Sequence, residues 1–224
     1  MKLKKKYKIV IAADGSAASG KTTGSKLISK KYKLKFLSSG LLYRYAAYKL
    51  LIKKPKNEIA FLKKCFKNLS LNRLNKINLH SSEISEFTSL IAKKNEIRNV
   101  LKSFQIKFSK KYNHLLIEGR DIGTKILPKA DIKFFFKCDL NTASKRRFEE
   151  LKKVNKNISL KDVKKAIKIR NYRDTTRKNS PLLKSHDAII VDTSKLKNIP
   201  DMVNKMSEII ERKVKYKYGS WNTN

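Results

Sequence analysis

Gly15, Gly20, Lys21 and Thr22 occupy every fixed position of G-x-x-x-x-G-K-[ST], within the run GSAASGKT. Residues of these types at this spacing can hold a nucleotide phosphate. Glycines let the backbone wrap closely round an anion, so that successive N–H groups and a helix N-terminus face it. Lys21 then carries a positive charge to the β- and γ-phosphates, and Thr22 offers a hydroxyl directly to Mg²⁺. Gly15, Ser16, Ala17, Ala18, Ser19, Gly20, Lys21, Thr22 and Thr23 form the expected ATP-binding segment. Lys21 is expected as a surface charge beside the phosphate and not as a core residue. The bland alternative is a Gly-rich turn with an incidental lysine.

Two carboxylates are placed to serve the same ion through water. Glu118 ends the apolar run HLLIE, and Asp14 immediately precedes the loop. Either could instead cap the turn that follows a strand. Arginine supplies the remaining chemistry. Of 55 basic residues, 45 are Lys and only 10 are Arg. In a chain so rich in lysine, a retained arginine suggests a need for a planar, bidentate fork. Arg44, Arg98, Arg120, Arg170, Arg173 and Arg177 lie in segments that other features also single out. Arg170, Arg173 and Arg177 fall at i, i+3 and i+7, which is one face of a helix; a solvated basic stripe is the alternative there.

The elements that must position these residues follow from periodicity. Short apolar runs at 7–13, 36–38, 114–118, 132–136 and 188–192 read as buried strands. Helical patterns fill 21–31, 40–53, 57–68, 96–110, 141–154, 159–177 and 199–214. Strands that alternate with helices imply a parallel sheet with right-handed crossovers. Pro55 interrupts, and from there to about 96 the pattern weakens. The polar tail after Lys217 is expected to fray.

Four ordered motifs resemble bacterial-type cytidylate kinases. Ser38 to Arg44 (SSGLLYR) stands for D-S-G-x-x-Y-R, and Glu118 to Thr124 (EGRDIGT) for D-G-R-D-x-G-T, followed by Pro128 and Ala130. Arg170, Arg173, Asp174, Arg177, Pro181 and Leu182 match R-x-x-R-D-x-x-R…PL, and Val191, Asp192 and Thr193 match a closing V-D-[ST]. The resemblance implies an α/β, P-loop nucleoside-monophosphate-kinase fold: a five-stranded parallel sheet flanked by helices, with a small acceptor-binding insert and a lid. It implies one kinase domain over 1–224, with the insert at about 50–97 and the lid at about 145–180. By the same resemblance the acceptor is bound by Ser39, Arg44, Arg98, Arg120, Asp121, Arg170 and Asp174. Lys21, Arg120, Arg173 and Arg177 would be catalytic. Ser39 could also serve as a helix N-cap. Ser38 replaces the family's usual Asp, Ala143 stands where an Arg is common, and HSSEISEFTSLIA lacks an arginine of the family's insert. These departures bear on recognition of the acceptor base.

The implied reaction is Mg²⁺-dependent transfer from ATP to CMP or dCMP. Other acceptors in the same fold class are UMP, dTMP, shikimate and dephospho-coenzyme A; the Arg–Asp combinations argue against shikimate. A formal charge of +37 also invites an RNA-binding reading. The lysines are scattered through the chain, however, without the clustered Arg and exposed aromatics of an RNA surface, and no specific nucleic-acid partner is expected. Cys65 and Cys138 suggest neither a disulfide framework nor a metal site. No stretch reaches the roughly 18 apolar residues of a membrane span, and Ile9 to Ala13 is too short for a signal segment. A cytoplasmic monomer is the expected form.

Overall fold

The computed structural model describes residues 6–74, 77–79, 81–153 and 157–219. Its chain divides into two compact units: Met1–Leu37 with Tyr112–Asn224, and Ser38–Lys111.

The first unit is built on five strands: β1 (Ile9–Gly15), β2 (Lys35–Ser38), β3 (His114–Gly119), β4 (Ile132–Lys137) and β5 (Ile189–Asp192). Their order in the sheet is β2-β3-β1-β4-β5. β1 is central and pairs in parallel with both β3 and β4, and β4 pairs in parallel with β5. Parallel neighbours need crossovers, which the helices α1 (Lys21–Lys31), α7 (Leu140–Lys152) and α8 (Leu160–Thr176) help to supply; α9 (Ile199–Tyr218) follows the last strand. β1 therefore delivers its C-terminal end to the place where strand order reverses, the position where such sheets bind ligands.

One face of the sheet contributes Ile9, Ile11, Leu116, Phe134, Phe136 and Val191 to a core closed by Ile28 of α1, by Tyr32 at its C-cap and by Met202, Met206, Ile210 and Val214 of α9. The α9 residues recur at i, i+4, i+8 and i+12, a single helical stripe. Each such large side chain, removed from water, contributes about 1.5–3 kcal/mol. Of the tail expected to fray after Lys217, Tyr218 still belongs to α9 and is held in place. Tyr218 stacks on Tyr7 with ring centroids 4.1 Å apart, and Lys217 Nζ donates to Asp131 Oδ1 at 2.6 Å. Residues 220–224 of the tail lie outside the described residues.

The second unit is helical: α2 (Ser39–Lys53), α3 (Glu58–Lys67), α4 (Leu71–Leu74), α5 (Ser82–Ile91) and α6 (Asn95–Lys110). Tyr45, Phe66 and Phe104 make successive edge-on ring contacts at 5.8 and 5.5 Å. Side-chain caps set many of the boundaries. Ser38 caps α2 by accepting the Leu41 N–H, Asn57 caps α3 and Ser81 caps α5; Asp139 and Ser159 do the same for α7 and α8. Each cap contributes about 1 kcal/mol. The α2 cap is thus Ser38, and Ser39 is the first helical residue. No helix among the described residues is long and apolar enough to cross a membrane.

Candidate active site

The phosphate loop leaves β1 through a close approach to its neighbour. A Cβ at Gly15 would lie 2.4 Å from the Phe136 carbonyl oxygen of β4, so only glycine fits. Ala18 and Gly20 have φ of 55° and 74°. Left-handed residues two apart curl the backbone and turn its N–H groups to one side. Gly20 takes this conformation freely, whereas Ala18 pays about 1–2 kcal/mol for it. Packing opposes that cost: Ala17 is buried with Val163 and Ile167 of α8, and Ala18, Leu140, Phe148 and Leu151 pack round them. Ser19 Oγ donates to Ser16 O at 2.9 Å, and Thr193 Oγ1 donates to Ser19 O at 3.1 Å, which ties the loop to the end of β5. Thr23, on the first turn of α1, is exposed.

Lys21 is not a surface charge. It is 7% exposed, and its Nζ donates to Glu118 Oε2 at 2.8 Å. Burial lowers its pKa from the ordinary lysine value, while Glu118 pulls it back up. The sheet register explains the meeting. Ala13 of β1 lies opposite Glu118 of β3, so the loop begins just beyond that carboxylate. Thr22 Oγ1 lies 2.9 and 2.8 Å from the two Glu118 oxygens. A hydroxyl and a carboxylate brought together in this way are hard oxygen donors, and they suit a small divalent cation that takes its other ligands from phosphate and water.

Asp14 has a different geometry. It is 5% exposed, and its two oxygens accept the N–H groups of Ile122 and Gly123 at 2.8 and 2.7 Å. Burial pushes its carboxyl up to about 6, against the pull of those two hydrogen bonds. Both oxygens are thus engaged in bracing the turn after β3. That turn is a π-helical segment, Ile122–Ile126, which starts directly after the buried Asp121. The sequence motif alone gave no sign of this π-turn.

Arg120 lies between the end of β3 and this π-turn. Its Nε donates to Asp174 Oδ2 of α8 at 2.8 Å, across 54 residues, and its Nη1 donates to Gly119 O at 3.2 Å. Burial pushes the Asp174 carboxyl up, but Arg120, with Arg170 and Arg177 nearby, outweighs it and holds the group below the usual range. Arg170 and Arg173 are half-buried on α8. Arg177 departs from the expected helical stripe, because α8 ends at Thr176 and Arg177 is its extended C-cap. Its Nε donates to Ser180 O at 2.7 Å and its Nη1 to Asp174 Oδ1 at 3.4 Å. Only 8% of that side chain is exposed, so a solvated stripe does not describe it.

The helical unit holds the other expected acceptor residues. Ser39 is buried at the start of α2. Arg44 Nη1 donates to Leu79 O at 2.9 Å and to Ser85 Oγ at 2.7 Å. Arg98 is 6% exposed, unlike an ordinary helical arginine. Its Nη1 donates to Ala92 O at 3.1 Å, and its guanidinium lies 5.6 Å from the Tyr43 ring centroid.

Two residues of this neighbourhood escaped sequence reasoning. Arg146 on α7 donates to Thr193 Oγ1 and to Thr193 O at 3.1 and 2.9 Å; the retention of arginine in a lysine-rich chain could have flagged it. Asn171 on α8 accepts the Ala17 N–H at 2.9 Å, and nothing in its sequence context marks it.

Residues 11–212 match the family described as cytidylate kinase. A cytidylate kinase of Rickettsia rickettsii (strain Sheila Smith) is 36% identical over 91% of this chain and 92% of its own length. One from Bartonella tribocorum is 40% identical over 84% and 87%, and one from Clostridium botulinum (strain Langeland) 39% identical over 91% and 98%. Among solved structures, an uncharacterized protein from Eubacterium ventriosum superposes with a TM-score of 0.54 at 16% identity, covering 91% of this chain and 98% of that one. A shikimate kinase from Bacteroides thetaiotaomicron gives 0.50 at 12%, covering 91% and 98%. At such identities these two structures speak for the fold alone. With an intact phosphate loop, a Lys21–Glu118–Thr22 cluster and a sequence match along most of its length, the chain belongs to the cytidylate kinase family.

Proposed function

We propose that this chain transfers the γ-phosphate of ATP to CMP or dCMP, giving ADP and CDP or dCDP. The observation that carries the reading is the meeting of Lys21 and Thr22 at Glu118 in a chain that matches the cytidylate kinase family over residues 11–212. Phosphoryl transfer asks little covalent chemistry of a protein. It needs in-line positioning and cancellation of the negative charge that spreads over the transferred group. Loop N–H groups between Gly15 and Thr23, other than that of Ala17, which donates to Asn171, cradle the ATP phosphates, and Lys21 neutralises their charge. Thr22 directly, with Glu118 and Asp14 assigned through water, would hold Mg²⁺, which would supply further cancellation of the phosphate charge. For Asp14 the two backbone bonds favour a bracing role instead.

Ser39, Arg44, Arg98, Arg120, Asp121, Arg170 and Asp174 are assigned to the acceptor, and Arg120, Arg173 and Arg177 to the transferring group. The enzyme is read as a cytoplasmic monomer that requires no nucleic acid. A coupled assay with ATP, Mg²⁺ and CMP, dCMP, UMP, dTMP, shikimate or dephospho-coenzyme A tests the reading. CMP and dCMP should give the highest kcat/KM, because a site built for cytosine leaves polar groups unpaired when a carbonyl replaces the exocyclic amine. Equal kcat/KM for UMP and CMP would overturn the acceptor assignment.

A further inference from the structure

The α8 helix touches the phosphate loop along one face. Val163, Ile167, Asn171 and Asp174 recur at i, i+4, i+8 and i+11, within about 80° of arc on an α-helix. The first two bury Ala17 of the loop. Asn171 Oδ1 accepts the Ala17 N–H at 2.9 Å. Asp174 then takes Arg120 of the turn after β3 at 2.8 Å. The helix is therefore apolar where it covers the loop and polar where it reaches the loop backbone and the arginine. The Asn171 bond also fixes the carboxamide: a backbone N–H needs an oxygen, so Oδ1 faces the loop and cannot exchange places with Nδ2 without losing the bond.

We infer that Asn171 is a positioning residue: by accepting the Ala17 N–H it sets the register of α8 on the phosphate loop, and with it the placement of Arg170, Arg173 and Asp174. Apolar contacts alone do not set a register, because Val163 and Ile167 can slide over Ala17 with little loss of burial. A directional hydrogen bond to one loop N–H removes that freedom. Arg170 and Arg173 lie within one turn of Asn171 on the same helix, so a shift of α8 by a fraction of a turn displaces their guanidinium groups by more than the transfer geometry tolerates.

The inference rests on the kinase reading above, and two readouts keep the two apart. Asn171→Ala and Asn171→Leu remove the acceptor; Asn171→Asp keeps an oxygen in its place. In steady-state assays, Asn171→Ala and Asn171→Leu should lower kcat at least about tenfold while KM for CMP stays within about twofold, and Asn171→Asp should recover kcat to within about threefold. Independently of any acceptor, hydrogen exchange of the α8 amides with ATP and Mg²⁺ alone should run about five- to tenfold faster in Asn171→Ala than in wild type, and near the wild-type rate in Asn171→Asp. A wild-type chain inactive on CMP would defeat the kinase assignment, and the exchange comparison would still decide the role of Asn171. Unchanged exchange in Asn171→Ala, or equal losses of kcat in the alanine and aspartate variants, would overturn it.

Discussion

Lys21 Nζ and Glu118 Oε2 lie 2.8 Å apart with 8% and 4% of their side chains exposed, an ion pair between residues 97 positions apart. A buried pair of this kind adds little net stability over an apolar replacement, but losing one partner strands a charge in a poorly solvated place. Lys21→Met should therefore lose both activity and stability: roughly 10²- to 10³-fold in kcat and about 3–5 kcal/mol in unfolding free energy. The double variant Lys21→Met with Glu118→Gln should regain most of the stability and none of the activity. Denaturant unfolding together with a coupled assay checks both; full activity in a folded Lys21→Met protein would remove the phosphate-loop assignment.

Asp14 predicts a pH dependence with opposite signs for activity and stability. Two backbone N–H donors are matched by an ionised carboxylate, so protonation near its folded value of about 6 weakens one bond and loosens the turn that carries Arg120 and Asp121. The kcat profile should fall on acidification through that pH. The folded pKa is raised above the ordinary 3.8, so between about pH 4 and 6 the folded state binds more protons than the unfolded one. Acidification through that window therefore makes Asp14 contribute a gain in stability, at most about 3 kcal/mol. Asp14→Asn should abolish the acid limb and lower kcat at every pH, with KM for ATP nearly unchanged. A limb that persists in that variant belongs to another group.

The lid should separate catalysis from binding. Arg173→Ala and Arg177→Ala should lower kcat on the order of 10³-fold with modest changes in KM for CMP, because contacts to the transferring group strengthen in the transition state. Arg44→Ala should instead raise KM for CMP about tenfold or more. Lysine should rescue poorly at Arg120, whose guanidinium engages both Asp174 and Gly119 O and whose fork a point charge cannot copy. Steady-state kinetics on the single variants checks this. If both lid variants stay within a few-fold of wild-type kcat, Arg173 and Arg177 have no part in transfer.

Gly15→Ala isolates the backbone contact from the chemistry. The added Cβ would meet Phe136 O at 2.4 Å, and backbone in a central strand cannot move aside without disturbing the β1–β4 ladder. A loss of about 3 kcal/mol is expected, read as a lower melting temperature. Unchanged stability would mean that the strand pair is more plastic than its packing implies.

Local features were legible in the sequence because their causes lie within a few residues of one another. The phosphate loop needs only glycines, a lysine and a threonine between a strand and a helix, and the structure places GSAASGKT from the end of β1 to the start of α1. The five apolar runs became the five strands of the sheet for the same reason. The weakly patterned stretch after Pro55 was harder. Its helices are short, although Ser81 with Ile84 and Ile91 does carry a cap and an apolar spacing.

Tertiary structure alone decided which distant groups meet. The pairs Lys21–Glu118, Arg120–Asp174 and Ala17–Asn171 span 97, 54 and 154 residues, and strand order and helix register bring them together. It also decided that Arg177 leaves the helical face it shares in the sequence with Arg170 and Arg173. The helix stops at Thr176, and the guanidinium turns back to Ser180 and Asp174. Residue types and short spacings determine what chemistry a segment can support; which charges are buried together depends on packing, because the free energy of a buried charge is set by neighbours that arrive from elsewhere in the chain.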